Sequence, residues 1–169
     1  MNTMKIGIIS DTHDNLSKFK KVVDYLEKEN IPFIIHCGDI ANPEILKKAL
    51  EGFSGKCKAV LGNADNIYQF ELKDYQDDPR IEVFESTGQA ELGGKRIAFT
   101  HYPWEAKKLA KSGKYDLVFY GHTHRPWQKK IGDCLVINPG NVAGIIFRPT
   151  FAVYDTEKEE IELKFLEKI

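Results

Sequence analysis

Charge of one sign is the first thing this chain lacks. Lys and Arg number 24 against 25 Asp and Glu, a net charge of −1. That balance excludes a broad electrostatic attraction to nucleic acid or to an anionic membrane surface. Long apolar runs are missing too: none approaches the ~18 residues of a membrane-spanning helix. The N-terminal run Ile6 to Ile9 is stopped by Asp11 and is too short for a signal peptide. Cysteine is scarce. Cys37, Cys57 and Cys134 are odd in number, widely spaced and set in apolar runs. They exclude a disulfide framework and zinc-finger spacing, and they read as buried thiols in a reducing compartment. The expected address is the cytoplasm, where the Asn15-Leu16-Ser17 sequon has no meaning. No repeat or low-complexity stretch interrupts the chain. Nor is there a P-loop: in Gly52-Phe53-Ser54-Gly55-Lys56-Cys57 the glycines are too close together and no Ser or Thr follows the Lys.

What is present is an ordinary globular composition, 42% hydrophobic and 29% charged over 169 residues. One domain spanning 1–169 is the default at this length, and it can bury about 70% of the surface its unfolded chain exposes. Met4 to Ile9 reads as a buried strand. Leu16, Phe19, Val22, Val23 and Leu26 recur at helical spacing, with Asp14 or Asn15 as the cap. Phe33 to Cys37 reads as a second buried strand, Pro43 to Leu50 as a short helix and Lys58 to Leu61 as a third strand. This β-α-β-α-β opening predicts a parallel sheet faced by helices. Asn66 to Arg80 is acidic and poor in apolar residues, so it reads as a solvated loop or frayed helix, with a wall beside a site as the alternative. Short strands follow at 82–84, 89–92 and 96–100, with Gly93-Gly94 as a hairpin turn. A helix is predicted from Trp104 to Ser112, ended by Gly113. Later strands are predicted at 117–120, 134–137, 150–154 and 161–166.

Four motifs fall in order at predicted strand ends: Asp11-Thr12-His13, Gly38-Asp39, Gly62-Asn63 and Gly121-His122-Thr123-His124. His101 stands alone between the third and fourth. Ligands of open α/β sheets gather at the C-terminal edge of the strands, so these residues can converge although they are far apart in sequence. Two carboxylates, one carboxamide and four imidazoles form a ligand set for two divalent metals. A mixed N and O set without thiolate suits Mn, Fe, Zn, Ni or Co better than Ca. His36 lies inside an apolar run and reads as a hydrogen-bonded core residue instead.

On these motifs the chain resembles the calcineurin-like metallophosphoesterase superfamily, and within it the small single-domain phosphodiesterase branch of bacteria and archaea. The resemblance runs from Lys5 to about Asp155. It implies an α/β fold, a four-layer α-β-β-α sandwich of two mixed β-sheets flanked by helices. It implies one metal on Asp11, His13, Asp39 and His124, and a second on Asp39, Asn63, His101 and His122, with Asp39 bridging. It implies in-line attack on phosphorus by a bridging hydroxide, with Asp39 and Asn63 in the catalytic set. Two divalent cations, two carboxylates and that hydroxide leave about one net positive charge, which attracts an anionic ester.

Three departures from the pattern matter. Ala64 stands where many members have a His thought to protonate the leaving group, and alanine cannot transfer a proton. Asp65 follows it, able to orient the loop or to act as the acid. His101-Tyr102-Pro103 replaces a His-Gly-His, leaving Tyr102 as a wall of the substrate pocket. Asp14 replaces a Gly, and Asp tolerates a left-handed turn. Asn138-Pro139-Gly140-Asn141 fits a type II turn supporting His122 and His124. Arg148 is either a surface arginine or a phosphate clamp. The leading expectation is a metal-dependent phosphodiesterase acting on a small phosphoester, with no strong nucleic-acid affinity and no membrane association. Two alternatives stand beside it: a metal-binding protein-interaction scaffold of the retromer-subunit type, and a nuclease or nucleotide phosphatase. Homo-oligomerisation is left open.

Overall fold

The computed structural model describes residues 3–68 and 70–169. In chain order its strands are β1 (Lys5–Ile9), β2 (Phe33–His36), β3 (Lys56–Val60), β4 (Ile81–Phe84), β5 (Thr87–Leu92), β6 (Lys95–Thr100), β7 (Leu117–Phe119), β8 (Trp127–Ile131), β9 (Cys134–Asn138), β10 (Thr150–Asp155) and β11 (Glu160–Phe165). The helices are α1 (Leu16–Lys28), α2 (Pro43–Ala49) and α3 (Pro103–Lys111). One sheet runs β11-β10-β1-β2-β3-β4 and the other β5-β6-β7-β9-β8, and both are mixed.

Residue alternation along the strands sorts the core into three layers of contact. Ile6 and Ile8 of β1 face Ile97 and Phe99 of β6 and Phe119 of β7 between the sheets. The opposite face of the first sheet, through Ile34, Ala59 and Phe151, packs on Phe19, Val22, Val23 and Leu26 of α1 and Leu46 of α2. Ala98 and Val118 of the second sheet turn outward onto Ala106 and Ala110 of α3. The order is therefore helix, sheet, sheet, helix: the predicted four-layer sandwich. Asn15 caps α1 by accepting a hydrogen bond from the Lys18 N–H at 3.1 Å, which leaves Asp14 free to accept from Asn42 N–H at 2.8 Å. Gly93 and Gly94 both take positive φ, 56° and 75°, as a tight hairpin turn requires.

The structure departs from the sequence expectations in three respects. β3 starts at Lys56 and β5 at Thr87, each two residues early, because Lys56 pairs in register with Phe33 of β2 and Thr87 with Thr100 of β6. β8 was not predicted at all: Trp-Gln-Lys-Lys-Ile is exposed on an edge, and its antiparallel register with β9 rather than burial makes it a strand. The segment 66–80 is not simply solvated. Its 3-10 turn Leu72–Tyr75 sinks Tyr75 fully into the core, where the phenol donates to the Ala41 carbonyl at 2.7 Å. Gln69 of that segment lies outside the described residues.

Candidate metal centre

β1, β2, β3, β6 and β7 all point their C-terminal ends at one edge of the sandwich, and every motif sits there. The turns that follow are held in the left-handed region: Asp11 (φ 54°), His13 (41°), Asp39 (56°), His122 (69°) and His124 (58°). Such a conformation costs a non-glycine residue on the order of 1–3 kcal/mol, and it clusters at functional sites. The motif glycines make the close approach. A Cβ on Gly62 would run into Asp39 Oδ1, and one on Gly121 would lie 2.7 Å from Asp11 Oδ2.

Asp11, His13, Asp39 and His124 bring one ligand atom each to within 4.8 Å of one another. His124 Nε2 lies 3.1 Å from Asp11 Oδ1 and 3.3 Å from His13 Nε2, and His13 Nε2 lies 3.5 Å from Asp39 Oδ2. Asp11 is fully buried. Its Oδ2 accepts from Ser10 Oγ at 2.5 Å and His122 N–H at 3.2 Å. Its Oδ1 has no hydrogen-bond partner and is the one such buried side-chain atom among the described residues. A buried carboxylate oxygen with no hydrogen bond, faced by two imidazole nitrogens, suits a bound cation. The donor set therefore fits a divalent metal.

Burial alone would raise the Asp11 carboxyl. The His124 and His13 imidazoles outweigh it and hold the group below the usual carboxylate range. In return the Asp11 carboxylate raises both His13 and His124.

The remaining predicted ligands assemble next door. His101 Nδ1 faces the Cys37 carbonyl at 2.8 Å, so that nitrogen carries the proton and Nε2 keeps its lone pair. That lone pair lies 3.1 Å from Asn63 Oδ1 and 3.4 Å from Asp39 Oδ1. His122 Nδ1 lies 3.0 Å from the same Asn63 oxygen, and burial lowers its pKa. Asp39 thus turns one oxygen toward each group. All seven predicted ligands meet at this edge.

The supporting residues are less legible in sequence. His36 is a buried core residue, as read: Nδ1 accepts from Gly38 N–H at 3.1 Å, so Nε2–H is left for Thr12 Oγ1 at 3.1 Å. Burial pushes it down to about 3, so it stays neutral. Asn138 donates to the Gly121 carbonyl at 2.9 Å and Asn141 to the His124 carbonyl at 3.2 Å, the support expected of that turn. Ser10 was missed, since nothing about a serine before the first motif marks it.

Two residues that the sequence left open between two roles have the following surroundings. Asp65 is buried, and its oxygens accept the backbone N–H groups of Gly62 (2.6 Å), Asp39 (3.0 Å) and Ala41 (2.5 Å). Burial pushes its pKa up to about 6, and its oxygens hold the loops together, as the loop-orienting role expects. Arg148 pairs with Glu167 and lies over the Phe165 ring at 5.3 Å, the surroundings of a surface arginine. Tyr102 does stand at the site, its ring 4.9 Å from His101 and 5.1 Å from His122.

The model of the calcineurin-like phosphoesterase superfamily domain matches residues 4–159. The chain belongs to that superfamily. A phosphodiesterase of Methanocaldococcus jannaschii is 36% identical to it over 161 residues, which cover 93% of this chain and 96% of the relative. The solved structure of an archaeal phosphodiesterase aligns with a TM-score of 0.86 at 33% identity, over 96% of this chain and 99% of that one. Vacuolar protein sorting 29 of Cryptosporidium parvum shares the fold, with a TM-score of 0.69 at 18% identity and 96% of both chains covered.

Proposed function

We propose that this member of the superfamily is a phosphodiesterase with two divalent transition metals, manganese first among them, acting on a small phosphoester. The observation that carries the reading is Asp11 Oδ1, buried without a hydrogen bond inside a four-residue ligand cluster. Asp11, His13, Asp39 and His124 would hold one metal, and Asp39, Asn63, His101 and His122 the other. When bound, such metals act as Lewis acids on the phosphoryl oxygens and make water a nucleophile near neutral pH.

The chain's own residues do the rest. The Cys37 carbonyl, and the Ile145 carbonyl 3.3 Å from His124 Nδ1, hold the His101 and His124 rings so that Nε2 points inward. Asp65 ties the Asp39 turn to the Gly62 turn, so the two half-sites keep one spacing. Ala64 supplies no proton and its N–H is given to Asp39 Oδ1 at 2.8 Å. The leaving oxygen therefore departs with help from solvent alone, which favours good leaving groups.

The family match over 4–159 supports one domain throughout. The three cysteines are free and buried, which fits a reducing, cytoplasmic address. The scaffold reading rests on likeness of fold alone, and a scaffold need not keep a complete ligand set. Metal analysis after reconstitution, with a screen of phosphomonoesters, phosphodiesters and cyclic nucleotides, tests the proposal. About two metals per chain and metal-dependent turnover of diesters are expected. One metal or fewer would sink the two-metal site, and turnover of monoesters alone would sink the diester assignment.

A further inference from the structure

Trp104 ligates nothing, yet it is placed against the metal centre. It is the second residue of α3, after Pro103, and its side chain is 60% exposed. Its ring stacks on Tyr102 with centroids 4.5 Å apart and planes 15° apart. It also meets the His122 ring edge-on at 5.9 Å. Tyr102 in turn stands edge-on to His101 and His122. Four rings therefore run without a break from buried His101 out to solvent. Tyr102 covers one face of the indole, which leaves the exposure to the other.

A large aromatic held flat and exposed contributes little to the core, since most of its apolar surface is still in water. It is well suited to a second stacking partner, because its orientation is already fixed and little entropy remains to be lost. Any group resting on it lies one ring away from His122, so it must be joined to whatever occupies the metal centre. The carboxylate next along the helix does not compete: Glu105 accepts from Thr100 Oγ1 at 2.5 Å. The surface thus presents an uncharged π-face beside a phosphate site.

We propose that Trp104, ordered by Tyr102, is a shelf for a planar aromatic substituent on the ester group that the phosphodiester retains after hydrolysis, either a nucleobase or an aryl ring. The proposal rests on the phosphodiesterase reading above. It narrows the substrate class from phosphodiesters at large to those bearing an aromatic group. Stacking is tolerant of the identity of the ring, so the shelf selects aromatic from aliphatic rather than one base from another.

Three diesters with the same p-nitrophenolate leaving group separate the sources: a second p-nitrophenyl group, a thymidine group or a methyl group is retained. The metal-loaded enzyme is expected to prefer the two aromatic diesters over the methyl one, chiefly through KM. Trp104→Ala should reduce that preference by about 10-fold, and at least about 5-fold, in line with the loss of one base–aromatic stack. Trp104→Phe should keep part of it. Loss of preference only for thymidine assigns the shelf to nucleobases, and loss only for the second p-nitrophenyl group assigns it to aryl rings. A preference that Trp104→Ala leaves unchanged for both overturns the shelf while the phosphodiesterase assignment stands. If no diester is hydrolysed, that assignment falls and fluorescence decides the shelf. In a Trp127→Phe background Trp104 is the single indole. Adenosine monophosphate should then quench its emission and ribose phosphate should not. Equal effects of the two would overturn the proposal.

Discussion

The two halves of the candidate metal centre are built differently. Asp11, His13, Asp39 and His124 have both carboxylates between them, and Asp11 and Asp39 are buried. Asn63, His101 and His122 have no carboxylate of their own and share Asp39; His101 is buried and Asn63 is exposed. The first half carries the oxygen without a hydrogen bond, whereas in the second Asn63 Oδ1 lies 3.1 Å from His101 Nε2 and 3.0 Å from His122 Nδ1. Anionic ligands attract a divalent cation more strongly than neutral ones, so the first half should fill first and empty last. The lesson is that a motif inventory, which counts both halves alike, hides a difference in affinity that burial and charge create.

The change that should break the contrast most is Asp39→Asn, since Asp39 faces both halves. We expect both metals to be lost and turnover to fall by more than about 100-fold, beyond the 10–100-fold typical of outer-shell partners. Retention of both metals by the variant would refute a shared ligand. Asn63→Ala should sharpen it. Metal content should drop from two to one, with activity down about 10–100-fold. Equal depletion of both sites by elemental analysis would mean the halves are not separable.

Asp65→Asn tests what ties the halves together. An amide cannot accept from three backbone N–H groups as a carboxylate does, and we expect a loss of about 2 kcal/mol or more by urea titration, with weaker cooperation between the two metals. Unchanged stability would show that the loops hold without it.

The smallest effect concerns His36, which is structural and belongs to neither half. Its pKa is about 3 in the fold against an ordinary 6.5. Unfolded chains therefore take up the proton first, and its contribution is complete above pH 6.5 and lost as pH falls toward 3. Asp65, raised to about 6, works the opposite way, because its protonated form is favoured in the fold. A difference measurement removes that term. In the metal-free protein, the stability advantage over His36→Gln should shrink by about 1.4 kcal/mol per pH unit below 6.5. Parallel pH curves would refute a neutral buried imidazole.

Particular residues show how far the chain could be read. Apolar periodicity located α1, and continuous apolar runs located β1, β2 and β7, because each buries a whole face or both faces. The seven candidate ligands were visible because chemistry restricts such groups to a few residue types at strand ends. β8 escaped because an edge strand with four exposed residues leaves no apolar pattern. Arg148 and Asp65 were each open between two roles, since a side chain's direction depends on partners distant in sequence. Trp104 could be read only as part of a helix.

The sequence by itself determined the β-α-β-α-β opening and the ordered set of candidate ligands, which follow from local pattern and residue chemistry, and through resemblance to a known family the layer order. Only the tertiary structure decided which oxygen of Asp11 is left without a hydrogen bond, that Asp65 serves three backbone N–H groups, and that Trp104 lies flat against Tyr102. Each of those depends on contacts between segments of the chain that meet only when the two sheets pack, and the distances involved are set by the packing as a whole.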